Sequence, residues 1–161
     1  MRKPFAIAFA AVVVSAMLVW AALAILTAGD RLKAAGSIGK VRTIGTSGDT
    51  TFMVVDFNLT NDSDRDMIVR GIESSVDAAD GSVIMGGGVA AADVAAVFRV
   101  YPLLGEQYNP IMKDRDTIAA HHTVDRMVGI RLDAPFEKVE TRKRVTLRIV
   151  DVAGPVIQLT K

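Results

Sequence analysis

His121 and His122 are the only histidines of the chain, and Asp116 and Asp125 flank them. Imidazole and carboxylate groups close in sequence are the raw material of a metal centre or of an acid–base pair. Their spacing works against both uses. Neighbours on an extended chain point to opposite faces, so one strand cannot present both rings to one ion. No HExxH or comparable spacing occurs. The pair reads as a solvated loop before a strand that starts at Thr123. Asp62, Asp64 and Asp66 alternate, and Glu73 follows at the twelfth position, which is the outline of a calcium-binding EF-hand loop. The sixth position is Met67 where that loop needs glycine, the ninth is Arg70, and the flanks alternate like strands. The segment therefore reads as a polar turn.

Gly86-Gly87-Gly88 could form a phosphate-cradling loop, but no GxxxxGK[ST] pattern accompanies it. It reads as a flexible loop. No serine sits in a GxSxG setting. The chain contains no cysteine, which excludes disulfides, thiol catalysis and cysteine-ligated zinc. These readings leave no catalytic residue, no metal site and no cofactor, and the expectation is a non-enzymatic protein.

The elements that would carry any site begin with an uncharged run, Pro4–Ala28, directly after Arg2 and Lys3. As a helix it would span roughly 37 Å, enough to cross a hydrocarbon layer of ~30 Å with some tilt. A cleaved secretory signal is the competing reading, with Ala22-Leu23-Ala24 as the cleavage site. The run continues through Ile25 and Leu26, which suits an uncleaved anchor better. The expected organisation is a transmembrane signal-anchor helix over 1–29, a juxtamembrane linker over 30–36 and one domain over 37–161. Arg2 and Lys3 precede the run, while Arg31, Lys33, Lys40 and Arg42 follow it, so the charge rule alone leaves the orientation open. The segment before the helix is short, and long domains are translocated despite their charge. We expect a single-pass protein of the cytoplasmic membrane with its domain outside, or a secreted one if the N-terminus is cleaved. Without Arg2 and Lys3, 17 basic residues face 18 acidic ones, which argues against nucleic acid as a partner.

Beyond the linker the hydropathy changes to period two. Met53, Val55, Phe57 and Leu59 share one face of a strand, with Asp56, Asn58 and Thr60 on the other, the pattern of a half-buried strand. Asn61-Asp62-Ser63-Asp64 supplies turn residues, and a β-branched run resumes over Met67–Ile72. Asp80-Gly81 predicts a turn before a short strand, Ser82–Met85. Val89–Phe98 is alanine-rich and reads as a short helix or a mobile loop edge. Arg99-Val100-Tyr101 reads as a strand stopped by Pro102, and Leu103–Asp116 as connection. A strand follows over Thr123–Asp133, with Gly129 marking a bulge. The charged run Glu137–Arg144 reads as a solvated link to a strand over Arg144–Val152. Ala153-Gly154-Pro155 turns the chain into a last strand, Val156–Leu159. Seven to eight short strands separated by turns predict an all-β fold, an antiparallel immunoglobulin-like β-sandwich behind one N-terminal transmembrane helix.

Two segments carry a resemblance. FMVVDFNLTNDSDRDMIVRGIE, Phe52–Glu73, has an apolar strand, a turn rich in Asn, Ser and Asp, and a second strand; RVTLRIVDVAGPVIQL, Arg144–Leu159, is a strand pair joined through a glycine turn. In these the chain resembles membrane-anchored immunoglobulin-like accessory domains and is similar to late embryogenesis abundant type 2 (water-stress and hypersensitive-response) domains. The Gly86–Gly88 and alanine-rich centre departs from their pattern. The resemblance implies a non-catalytic domain.

The expected function is protein binding or envelope assembly at the membrane surface, with the bilayer as one partner through residues 4–28 and a protein as the other. Binding residues gather on irregular segments held by a rigid scaffold. Val89, Val97, Phe98, Tyr101, Leu103 and Leu104 are the candidates for partner contact, unless they pack over an open end of the sandwich. The alternative is a small-molecule or lipid-binding domain whose central segment lids an apolar cavity.

Overall fold

A computed structural model describes residues 13–22, 32–46 and 48–161. The chain divides into two units, Met1–Arg31 and Leu32–Lys161. In the first, residues 13–22 form a helix (α1) with exposed Val14, Met17, Leu18, Val19 and Trp20. Most of the apolar run Pro4–Ala28 lies outside the described residues. Among those described, no helix is long and apolar enough to cross a membrane.

The second unit is all-β, with two short helices. Its strands are β1 (Ala34–Gly45), β2 (Thr51–Asn61), β3 (Met67–Asp77), β4 (Val83–Gly88), β5 (Thr117–Ile118), β6 (His122–Leu132), β7 (Arg144–Asp151) and β8 (Val156–Thr160). The helices are α2 (Ala91–Val100) and α3 (Phe136–Glu140), and a 3-10 turn follows α2 at Pro102–Leu104. Every strand pairing is antiparallel. The hydrogen-bonded order is β1-β2-β6-β4-β3-β7-β8, with β5 appended to β3. One junction is narrow: β4 meets β6 through only Gly86↔Leu132, Gly87↔Arg131 and Gly88↔Ile130. Both parts of this path, β1-β2-β6 and β4-β3-β7-β8, line one shared core. The two ends of the path come together as well, where Lys161 Nζ donates to the Gly39 carbonyl.

The inward residues of both halves form one core. Met53, Val55, Phe57 and Leu59 of β2 and Val128, Ile130 and Leu132 of β6 pack with Val69 and Val76 of β3 and with Leu147 and Ile149 of β7. This is the alternation read from the sequence. At the usual ~25 cal/mol per Å² of apolar area, each such side chain contributes about 1.5–3 kcal/mol.

Four local expectations are corrected. Gly86–Gly88 is strand, not flexible loop. A Cβ on Gly86 would lie 2.5 Å from Leu132 Cδ2, 2.6 Å from Ile130 Cγ2 and 2.9 Å from Ser74 Oγ, so glycine lets β4 approach β6 without displacing these side chains. Gly129 marks no bulge, since the β2–β6 register runs unbroken through Val54↔Gly129. Arg99 and Val100 end a helix instead of starting a strand. The strand β1 begins at Ala34, inside the stretch read as linker. In addition, the charged run after Pro135 contains α3, whose Val139 is buried.

The Asp80-Gly81 turn forms as expected, with Gly81 at φ 87°. Asp80 accepts hydrogen bonds from Ser82 Oγ at 2.6 Å and Ser82 N at 2.9 Å, and pairs with Lys138 at 3.1 Å. The hydroxyl, the amide and then the ammonium hold its carboxyl well below the usual carboxylate range. A depressed folded-state pKa stabilises the fold fully above the unfolded value, and that contribution is lost as pH falls below it. Asp80→Asn should therefore lower stability at neutral pH by a small, salt-sensitive amount. The gap to wild type should close as pH drops below the ordinary aspartate pKa of about 3.9, read by urea unfolding at a series of pH values. A gap that stays constant with pH would disprove the role of the charge.

Candidate functional site

The segment between β4 and β5 leaves the sheet at Gly88 and returns to it at Pro110 as a cap over the outer face of β1-β2-β6. Its helix follows from its sequence. Alanine is the best helix former, and Val94, Val97, Phe98 and Tyr101 recur at the spacing of one helical face. That face packs on Phe52 and Val54 of β2 and on Met127 of β6, together with Leu104, in a second apolar cluster separate from the main core. The packing is close at Gly129. A Cβ there would sit 2.5 Å from Val94 Cγ2 and 2.7 Å from Phe52 Cζ.

Three attachments hold the cap. At its start Val89 N donates to Gly129 O at 2.8 Å. At its end Met112 N donates to Met127 O at 2.8 Å, and Met127 N donates to Pro110 O at 3.0 Å, so the returning chain lies parallel to β6. The middle attachment is ionic. Arg42 rises from β1 beneath the cap and donates through NH1 to Leu104 O and Glu106 O, both at 2.7 Å. Its NH2 meets Asp56 Oδ2 of β2 at 2.8 Å, and Asn109 Nδ2 donates to the other carboxylate oxygen at 3.0 Å. The Phe98 and Tyr108 rings lie 5.3 and 5.1 Å from the guanidinium, within cation–π range. Arg42 and Asp56 are 8% and 5% exposed, so this pair is buried. Gly105 at φ 77° turns the chain after Leu104, and its amide donates to Pro102 O at 2.9 Å.

Asp56 was expected on a solvent face of a half-buried strand. Both faces of β2 are buried from Thr51 to Phe57, because the cap covers the outer one. Of the candidate partner residues, Val89, Val97, Phe98 and Tyr101 are half-buried against the sheet, and Leu104 is 2% exposed. Leu103 is 90% exposed, and Val100 and Tyr108 beside the same turn are exposed too. The cap thus divides these residues into an inner set that fixes it and an apolar tip that faces solvent. The packing is on a sheet face, not over an open end of the fold.

Arg42, Asp56, Tyr108 and Asn109 escaped the sequence reading. The one available signal was an acidic residue at the centre of a strand otherwise dense in large apolar residues. The other candidate groups stay dispersed. His121 Nε2 lies 3.0 Å from Asp64 Oδ1 on the surface, while His122 Nδ1 faces Ala120 O at 2.8 Å. Asp66 accepts from Ala120 N at 3.0 Å, tying the β2–β3 turn to the turn before β6. Among the described residues, no group of three or more His, Asp or Glu side chains is placed to hold a metal ion.

No protein-family model matches the sequence, and no curated protein matches it. Solved structures with a similar course of chain include the ApaA protein from Bordetella pertussis, at 14% identity and a TM-score of 0.38 over 80% of this chain and 88% of that one. An ApaG protein from Pseudomonas aeruginosa PAO1 aligns at 11% identity and a TM-score of 0.37, over 73% of this chain and 94% of that one.

Proposed function

We propose that this chain is a non-enzymatic, membrane-anchored immunoglobulin-like domain that binds a protein partner through the tip of its cap. Residues 4–28 are the anchor in this reading, and the domain stands outside the cytoplasmic membrane. The placing of β1-β2-β6 and β4-β3-β7-β8 about one core supports an immunoglobulin-type sandwich with one strand exchanged between layers. The same grouping supports kinship with the anchored accessory and late embryogenesis abundant type 2 domains. The single observation that carries the binding role is the tip. Val100, Leu103 and Tyr108 stand exposed on a segment that is otherwise pinned to the sheet by a buried ion pair. Apolar anchors on a rigid support bind with little ordering cost, and tethering raises the effective concentration of a weak face.

The test is a photo-crosslinking residue at Leu103 of the full chain in intact cells. One discrete adduct in the membrane fraction is expected. It should be lost when Val100→Asp is added, and it should be absent when the crosslinker sits at exposed Asp133. No adduct, or the same adduct from Asp133, would remove the reading.

One observation favours a second reading, a small-molecule or lipid-binding domain with the cap as lid. A cleft of ≈ 570 Å³ lies at the root of the cap, lined by Gly71, Ile72, Gly88, Val89, Met112 and Val128. Its size suits a small ligand. A stoichiometric ligand released from the gently purified chain on unfolding would move the function to this cleft.

A further inference from the structure

The two outer sheet faces differ. The cap covers β1-β2-β6, whereas among the described residues of the β unit no element lies over the outer face of β4-β3-β7-β8. On this bare face β3 and β7 bear two ordered columns. Asp77 and Glu73 stand on β3, and Arg144 and Arg148 stand on β7. They pair across the strands, Glu73 with Arg148 at 2.9 Å and Asp77 with Arg144 at 3.9 Å, and all four are exposed at the surface or partly so. Between these rows lie the short side chains of Ser75 and Thr146. At the far end of the face, Val152 N bonds to Ile68 O, and both side chains are exposed apolar groups.

This arrangement is complementary to itself. Place a two-fold axis along the strands, midway between β3 and β7, and lay a second copy face to face. Each β3 column then covers the partner's β7 column at the same height. Asp77 meets the second Arg144, Glu73 meets the second Arg148, Ser75 meets Thr146, and Ile68 meets Val152. The rows that are cross-strand neighbours within one chain become the contacts between chains. Sheets stack face to face within about 30° of alignment and about 10 Å apart, a gap that Glu and Arg side chains span. From strand spacing and rise, four strands of this length present about 600 Å² per copy, at the lower end of specific interfaces. Arg70, at the β3 bulge, is the one cation on β3 and lies outside both charge columns.

We propose that this face is a self-association surface, occupied by a second copy of the same chain in a two-fold, face-to-face dimer. It does not rest on the cap's binding role, and it uses the opposite side of the domain. An interface of this size and charge gives a weak dimer that salt weakens further.

The test is sedimentation equilibrium of the full chain in a non-ionic detergent micelle. Two double variants are made, one with Glu73→Arg and Asp77→Arg, the other with Arg144→Glu and Arg148→Glu. The wild type should show a monomer–dimer equilibrium. Each double variant alone should associate at least tenfold more weakly, because both of its columns then carry one sign. Mixed one to one, they should form a heterodimer at least as tight as wild type, although the ion pairs within each chain stay broken. That recovery separates a contact between chains from one within a chain. A circular dichroism spectrum like that of wild type shows that each variant folds, and Glu73→Gln with Asp77→Gln gives a milder version with the same expected direction. A wild type that stays monomeric, variants that associate as well as wild type, or a mixture no tighter than its parts would each overturn the proposal.

Discussion

Asp56→Ala lowers the stability of the β domain by about 3–5 kcal/mol, the range for removing one member of a buried ion pair. The loss comes from what remains. Arg42 cannot shed its proton, so its charge stays beneath the cap without a counter-ion. The two carbonyls of Leu104 and Glu106 and the rings of Phe98 and Tyr108 disperse that charge only in part. Asn109 loses its acceptor as well. Urea unfolding should show the midpoint fall with an unchanged slope. A companion variant, Arg42→Met with Asp56→Leu, separates charge from packing. Replacing a buried pair by apolar groups of similar volume is often neutral for the fold, so its stability should recover most of the loss. The cap, however, loses the guanidinium that holds two of its carbonyls. Its amides should exchange faster even where overall stability returns. A single Asp56→Ala chain as stable as wild type would show that the pair is not structural.

Gly129→Val has the second large effect, and it acts from the other side of the same packing. The added branch meets Val94 and Phe52, both buried, at distances no real Cβ contact tolerates. Either the sheet distorts or α2 lifts. Overpacking costs about 1–3 kcal/mol, and the lost burial of Val94 and Leu104 adds to it. The expected result is a destabilisation of about 3 kcal/mol. New tryptic cleavage at Arg99 should accompany it, because lifting α2 frees the chain around that residue. Gly129→Ala should show both effects at smaller size. Unchanged stability and no new cleavage for the valine variant would mean that the cap does not rest on β6.

These two positions also show what the sequence could and could not reveal. The inward faces of β2, β6 and β7 were legible because each alternates against one continuous core, with Arg126 of β6 the one break. The strand β1 was not. Its register shifts between Ile38 and Val41, so the parity of its buried residues changes midway, and Gly36, Gly39 and Gly45 dilute the signal. Gly129 read as a bulge because a glycine inside a strand has two physical causes, an extra residue or a close neighbour. Only the position of α2 decides between them. Asp56 obeyed the alternation rule and still ended up buried, because the rule assigns a residue to a face without saying what covers that face. Arg99 and Val100 have strand-like character locally, yet the apolar stripe through Val94, Val97 and Phe98 draws them into the end of a helix. The site was legible as a set of irregular, partly apolar residues between Val89 and Leu104. Its division into buried and exposed members is set by what the cap packs on, Phe52 and Val54 of β2, Met127 of β6 and the Arg42–Asp56 pair, residues far away in sequence.

One measurement decides whether the cap is a rigid support for its exposed tip: native-state amide hydrogen exchange, resolved by residue. The amides of Val89, Tyr101 and Met112, which donate to Gly129, Val97 and Met127, should be protected to within about tenfold of Val55 and Val128 in the sheet. Exchange at those three amides a hundredfold or more faster than in the sheet would show a cap that opens on its own. Val100, Leu103 and Tyr108 would then not form a fixed binding face.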